Sequence, residues 1–485
     1  MNIHPREWLS WSDPSLLIHI SAQECNYIII TFINLPENIS LLSIAYALTN
    51  FVREYGLVVS FRQGSQVIIV IGGVEVVVDI MEKEGGSLID RPRSVAASEM
   101  LSHEMRMTLA RSGERFRRLR KAVHPYLQPK TAQEYQDMQH KNVMDFILDV
   151  LNDPTNHQKH ATRYAASVIL QVTYGKSTPT ANADLEVVRI HKVVDHFHAT
   201  ILPGAYLVDR VPLLRHLPGY RKQLDEWHHE ELELFRHQLR PVKSEVDRNE
   251  AGPSFTKTLL ENTEEQKLSI DEMSYLAGSL FGAGSDTTAV GITATAMAAA
   301  CHPLAQAKVH EELDTVIGSD RAPFPNCTAF LLETLRWRPI VRIGFPHRAT
   351  KDILWVRYCI PKGATVYGCH WTLSRDPTVF PAPETFNPQR WLDSEGRLND
   401  DHTKFITFGF GRHVCPGLHL ANQSLYITLA FLLCSFCIVQ RPDAPINTHA
   451  FNDAVISHAA PFDIDVIPRV EVVKLRAMMT DGCID

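Results

Sequence analysis

The stretch MSYLAGSLFGAGSDTTAVGITATAMAAA, residues 273–300, constrains the fold more than any other part of the chain. In the 27 residues after Met273 the only charge is Asp286. So long an apolar segment belongs either in a bilayer or in the middle of a large core. Gly278 and Gly282 form a G-x-x-x-G, which suits helix pairing in lipid. Asp286, Thr287 and Thr288 sit mid-segment, where lipid makes a charge expensive. A helix buried across a protein core explains the same pattern. On that reading Gly282, Ala283 and Gly284 would let a flat cofactor or dioxygen approach the backbone. Asp286 and Thr287 would supply an acid and a hydroxyl for proton delivery.

The rest of the chain is consistent with such a core. From about residue 130 to 320, Leu, Val, Ile and Ala recur at three-to-four spacing, which predicts helices. The interruption at 202–219 (LPGAYLVDRVPLLRHLPG) is an apolar loop punctuated by Pro and Gly. It would either pack on the body or touch a membrane or gate a substrate. Residues 57–61 and 66–71 read as strands joined by a turn at Gln63-Gly64-Ser65. Gly72-Gly73 then leads into VEVVVDIMEKEG, a short helix; no G-x-G-x-x-G and no P-loop lysine accompany the pair, so a nucleotide site is rejected. After 340 short strands and turns dominate (ILWVRYCIPKGATVYG), followed by a Pro-rich loop at 381–391 and a helix at about 417–437. The tail FDIDVIPRVEVV alternates like a strand. There is no internal repeat and no linker rich enough to mark a boundary. The expectation is one large, mainly α domain with small β-sheets.

A net charge of −7 without a basic stripe argues against nucleic acid. The nine cysteines form no regular framework. The lone C-x-x-C of Cys434 and Cys437 lies in an apolar run and reads as two buried thiols. A reducing compartment fits these thiols best. Near the N-terminus, residues 15–35 are apolar in two bursts broken by His19, Gln23, Glu24 and Asn26, which makes a poor membrane anchor. The same region lacks the basic start and cleavage site of a signal peptide.

The segment FGFGRHVCPG, residues 408–417, carries the strongest chemical signal. Gly409 and Gly411 allow a tight bend against a flat ligand. Pro416 suits the first turn of a following helix, which would put Cys415 at its N-terminus, where N–H groups and the dipole favour a thiolate. A thiolate on haem iron pushes electron density toward dioxygen and favours O–O cleavage. Glu333 and Arg336 in LLETLRWRP are spaced i, i+3, so they share a helix face. Such a pair is weak alone, but Arg390 in ETFNPQRW adds a third charge. Guanidinium donors can tie a carboxylate to loop carbonyls, a structural support behind the cysteine loop.

Together these segments resemble the cytochrome P450 family of haem-thiolate monooxygenases, from about Leu35 to Arg469. The wording AGSDTT, ETLRW, GFPHRATKD, IPKGATV, FNPQRW and FGFGRHVCPG looks most like the microsomal-type enzymes of filamentous fungi. The resemblance implies the P450 fold over residues 35–485, after an atypical segment 1–34. It implies haem b with Cys415 as axial ligand and Phe408, Gly409 and Gly411 as the haem loop. Ala283, Gly284, Asp286 and Thr287 match the oxygen-binding groove, and Glu333, Arg336 and Arg390 the charge cluster. Arg120, Arg348 and His413 match the propionate partners; the other reading for Arg120, in a basic run, is a solvated face. Three departures stand out: Phe116 where the family has Trp, a short 321–330 segment, and an N-terminus without the usual anchor and Pro-rich hinge.

The implied activity is insertion of one atom of O₂ into a lipophilic small molecule, plausibly a fungal secondary metabolite, with a C–H or C=C bond attacked. Electrons would come from NADPH through a separate NADPH–cytochrome P450 reductase, with Lys121, Lys404 and Arg412 either contacting it or simply solvated. Substrate would be lined by 95–110, 278–290, 340–346 and 455–459. Location at the cytoplasmic face of the endoplasmic reticulum, with peripheral membrane contact, follows from the family. Competing readings are a haem-thiolate isomerase or dehydratase needing no external oxygen, and a haem-binding protein without turnover; the intact Asp286-Thr287 argues against both.

Overall fold

In the computed structural model, residues 18–22, 28–32, 41–63, 66–176, 184–316, 324–356, 358–399 and 406–481 are described. The chain condenses into two compact units, one drawn from Met1–Pro92, Arg342–Pro381 and Gly409–Val414, the other from Arg93–Val341, Ala382–Phe408 and Cys415–Asp485. The expected boundary at residue 34 and the turn residues Gly64-Ser65 lie outside the described residues.

The smaller unit carries a six-stranded sheet in the order Ile18–Ala22, Ile28–Phe32, Val58–Gln63, Gln66–Ile71, Thr365–Gly368, His347–Arg348. The apolar bursts near the N-terminus are its first two strands, antiparallel, with Ile20 opposite Ile30. The expected hairpin pairs Val58 with Ile71 and Phe61 with Ile68. One face of the sheet closes on the helix Leu41–Tyr55, burying Ala45, Val52, Val59, Phe61, Val70 and Trp371 in one cluster. The glycine pair is a packing joint: a Cβ at Gly72 would lie 2.5 Å from Val52 Cγ1 and 2.8 Å from Thr372 Cγ2. Gly73 then caps the helical turn Val74–Val77, whose first N–H donates to Asp376 Oδ2 at 2.9 Å. Ile353–Trp355 and Tyr358–Ile360 make a separate two-stranded ribbon.

The larger unit is mostly helical, and the helix Ile270–Cys301 runs through it for 32 residues, about 48 Å at the usual rise. A capping box starts it: Ser269 accepts from the Glu272 N–H, and Glu272 accepts from the Ser269 N–H. Most of its residues are buried in protein. Its G-x-x-x-G serves that packing, since a Cβ at Gly278 would stand 2.1 Å from Phe235 Cδ1. Gly291 makes the same room for Leu425, on the helix Leu418–Ser435. A core of Val143, Phe146, Tyr164, Met297, Phe330, Leu429 and Phe436 surrounds these elements.

Three expectations shift in this unit. The cysteine-loop helix begins at Leu418 with Gly417 as N-cap, so Pro416 lies before its first turn rather than within it. Only Ile464–Pro468 of the C-terminal tail is a strand, paired with Phe436–Gln440; VEVV instead opens a helix, Val472–Asp481. The loop at 202–219 divides its apolar groups: Val208 is fully buried, while Leu213 is 77% exposed. Asp209 explains the anchor, accepting from the N–H groups of Val95 and Ala96 at 2.6 and 3.1 Å and so capping the helical segment Val95–Leu101.

Candidate active site

In the larger unit Cys415 lies between the short helical turn Ile406–Phe408 and the helix Leu418–Ser435. Its N–H donates to the Phe408 carbonyl at 2.8 Å, which closes the loop around the intervening residues. Burial pushes the thiol up, against the Gly417 backbone N–H and the Arg120 charge, which pull it down. The sulfur therefore keeps its proton until a metal cation takes that place, because coordination deprotonates a thiol outright. This refines the expectation that the helix terminus alone yields a thiolate. Arg120 sits one helical turn after the buried Phe116 on Glu114–Val123, and so shares its inward face. Arg115 and Arg118 turn elsewhere, to Glu272 at 3.3 and 3.5 Å. The basic run is thus split between an outward set and one arginine near the cysteine.

In the smaller unit Gly409 and Gly411 adopt left-handed φ values of +81° and +55°. A Cβ at Gly411 would lie 2.6 Å from the Met81 carbonyl, so only glycine lets the loop pass there. The Gly411 N–H donates to Glu82 Oε1 at 3.0 Å. His413 Nε2 meets the Ile89 carbonyl at 2.6 Å, which fixes the ring. Arg348 gives one N–H to Asp90 Oδ2 at 3.1 Å and remains part-exposed.

On the helix Ile270–Cys301 the glycines expected to open a groove have close neighbours where a Cβ would point. A Cβ at Gly284 would lie 2.6 Å from Ile169 Cγ1, and one at Gly282 3.1 Å from Val194 Cγ2. On that side these glycines let neighbouring helices approach closely. Ala283 is exposed, and Thr287 follows it one turn later, donating Oγ1–H to the Ala283 carbonyl at 2.8 Å. Asp286, 2% exposed, turns to the other side and meets His458 Nε2 at 2.8 Å and His191 Nδ1 at 3.9 Å. Burial pushes its carboxyl up, but the hydrogen bond and charge of His458, with His198 and His191, outweigh that and hold it below the ordinary carboxylate value. Burial pulls the His458 imidazole down, yet Asp286 lifts it above its ordinary value.

Sequence reasoning missed His458 and His191. No local signal marks either: they reach Asp286 from the 450–460 turn and from the helix Leu185–Ile201.

In the larger unit Glu333 is fully buried and accepts from several donors. Arg336 Nε and Nη2 reach it at 2.8 and 2.7 Å, Arg390 Nε at 3.2 Å, the Asn387 N–H at 2.7 Å and Trp391 Nε1 at 3.0 Å. Arg336 also donates to the carbonyls of Pro383 and Thr385 at 2.8 and 3.2 Å. Glu312, on the helix Pro303–Val316, accepts from the Asn326 and Cys327 N–H groups at 2.9 and 3.0 Å at the start of the helix Pro325–Trp337. Lys121 pairs with Glu265 at the surface, and Lys404 lies outside the described residues.

The residues fit a haem. A lone cysteine held by its backbone, with a guanidinium beside it, is the donor set of a thiolate-ligated iron. When bound, that group supplies the activation of dioxygen.

Comparison with known proteins agrees. The family model described as Cytochrome P450 matches residues 29–466. Cytochrome P450 monooxygenase 64 of Postia placenta is 47% identical over 434 residues, 88% of this chain and 87% of that protein. Cytochrome P450 monooxygenase claR of Ampulloclitocybe clavipes is 32% identical, covering 86% of this chain and 80% of that protein. A zebra fish cytochrome P450 solved with progesterone shares the fold at a TM-score of 0.73 and 23% identity, over 90% of this chain and 100% of that one. The chain belongs to the cytochrome P450 family, as a monooxygenase that binds haem b, reacts with O₂ and draws electrons from a redox partner.

Proposed function

We propose that this enzyme hydroxylates or epoxidises a lipophilic small molecule in fungal secondary metabolism. Electrons come from NADPH through NADPH–cytochrome P450 reductase, at the cytoplasmic face of the endoplasmic reticulum. Relatives named as monooxygenases in two fungi support the reaction class. The observation that carries it is the Thr287 hydroxyl, bonded to the Ala283 carbonyl beside a buried, ion-paired Asp286. An isomerase or dehydratase needs no such proton source.

In this reading Cys415 is the axial ligand, and its sulfur is directed by the Gly417 N–H. Phe408, Gly409 and Gly411 form the loop that bends past a flat ring, with Gly411 excluding any side chain. Arg120, Arg348 and His413 are the propionate partners; Arg348 gives an N–H to Asp90 and stays part-exposed. Ala283 leaves space where a larger side chain would block approach. Thr287 holds a proton at Oγ1, and Asp286 moves one at its carboxylate. The glycines 282 and 284 fix the helix against Val194 and Ile169. Residues 1–34 are taken as an atypical N-terminal segment and 35–485 as the enzyme domain. Exposed Leu207, Val211, Leu213 and Leu217 suit a peripheral membrane contact.

The test is turnover with a panel of lipophilic fungal metabolites under ¹⁸O₂, with the reductase and NADPH supplied. A product one ¹⁸O atom heavier per oxidation is expected. A product isomeric with its substrate, or dehydrated and unlabelled, overturns the reading.

A further inference from the structure

The pairing of Asp286 with a histidine from a distant turn goes beyond any role the reaction class assigns, and it rests on the acid role proposed for Asp286. His458 is fixed by its backbone. Its N–H donates to Asn452 Oδ1 at 2.9 Å, and its carbonyl accepts from the Asn452 N–H at 2.8 Å. The Ser457 N–H, one residue earlier, donates to the Ile340 carbonyl at 3.0 Å. These bonds pin the 450–460 turn, so the 2.8 Å contact of His458 Nε2 with Asp286 Oδ1 comes from a held position. The carboxylate is 3% exposed, whereas 40% of the His458 side chain is exposed. Asp286 Oδ2 is buried. One oxygen is therefore clamped by a part-exposed imidazole, and the other has no hydrogen-bond partner among the described residues.

We propose that His458 is the positioning residue for Asp286: it orients the carboxylate and returns a proton to it after each one is spent. In the step, the Nε2–H bond of the His458 imidazolium breaks as an O–H bond forms at Asp286; that O–H bond breaks as the proton passes on, and the neutral imidazole takes a proton from a solvent hydronium ion, which becomes water. Charge and protons balance over the cycle. The direction of both titrations agrees, since the proton rests on His458, lifted by Asp286, and not on Asp286, held below its ordinary value. The groups facing this pair are His191, Asp195 and His198 from the helix Leu185–Ile201, and Arg106, which is itself paired with Glu231. Burial keeps His191 and His198 below the ordinary imidazole value, so neither competes as the charged partner.

The test uses the haem-loaded enzyme with wild type, H458Q, H458N and D286N, each checked for an intact reduced carbon-monoxide band. First, ring-¹³C histidine resonances are titrated in the reduced, carbon-monoxide-treated protein. One resonance, absent from H458Q and H458N, should titrate above the ordinary value and fall back in D286N. Second, NADPH is consumed with reductase and no organic substrate, and the share of electrons recovered as hydrogen peroxide is read between about pH 6 and pH 8.5. Wild type should track the His458 titration, while H458Q and H458N give a flat profile and a several-fold larger peroxide share. An ordinary titration for His458, or a glutamine variant with the wild-type peroxide share and profile, overturns the proposal. Neither result touches the ¹⁸O outcome, so the two readings fail separately.

Discussion

Replacing Glu333 by Gln removes one charge from a fully buried polar cluster in the larger unit. Glu333 and Arg336 have wholly buried side chains, and Arg390 is 9% exposed. The glutamine can still accept at one oxygen, but several donors converge on two oxygens, and the Arg336 charge is left uncompensated. Breaking a buried pair from one side costs about 3–5 kcal/mol. Against a total of about 5–15 kcal/mol, that removes about a fifth of the stability or more. R390A deletes the 3.2 Å contact of Nε to a carboxylate that keeps Arg336, the Asn387 N–H and Trp391, and should cost only about 1.5–3 kcal/mol. Urea titration of purified wild type and both variants, followed by the haem absorbance and by circular dichroism, gives the ranking. E333Q should show the larger fall in midpoint and the poorer haem retention. An R390A midpoint at or below that of E333Q would refute the idea that the buried Glu333–Arg336 charge pair holds the cluster.

Other perturbations are expected to separate along similar lines. G278A puts a methyl group into the Phe235 ring and should cost about 1–3 kcal/mol in thermal unfolding, with the carbon-monoxide band preserved in whatever folds. E312A frees two N–H groups at the start of Pro325–Trp337 and should lower stability by about 1 kcal/mol, while E311A, outside this cap, should leave the melting point alone. The Asp286–His458 pair has a definite pH window. His458 titrates above its ordinary value, so its contribution is complete below that value and fades as pH rises through the raised one; Asp286 titrates below its own, so its contribution fades as pH falls through the lowered one. A D286N/H458Q double-mutant cycle should accordingly show stronger coupling near about pH 6 than near about pH 9; equal coupling at both contradicts the ion pair.

How much was legible beforehand depends on whether the signal was local. The buried Ile270–Cys301 helix could be read because Asp286 and two threonines interrupt an apolar run, and a core tolerates that where lipid does not. The Glu333–Arg336 pair could be read from its i, i+3 spacing, and Arg390 from the segment around it. Trp391 and the Asn387 N–H could not, since nothing in ETFNPQRW says which groups turn toward a carboxylate. Sequence does not show which side of a helix the glycines of GAGSDTT face; in the structure a Cβ at Gly284 or Gly282 would meet Ile169 or Val194. The tail VEVV alternates as a strand would, and tertiary docking of Leu475 and Met479 in the core makes it a helix instead. His458 was illegible for the simplest reason, that its partner lies far away in the chain.

The central claim is that Cys415, closed against the Phe408 carbonyl and faced by the Gly417 N–H, is a thiolate ligand to haem iron. Reduction of the haem-loaded enzyme followed by carbon monoxide tests it most directly. The account predicts the strongly red-shifted Soret band of thiolate-ligated haem in wild type, and its loss in Cys415→Ala. Wild-type protein that is folded and haem-loaded but lacks the band, or a Cys415→Ala variant that keeps it, would contradict the assignment.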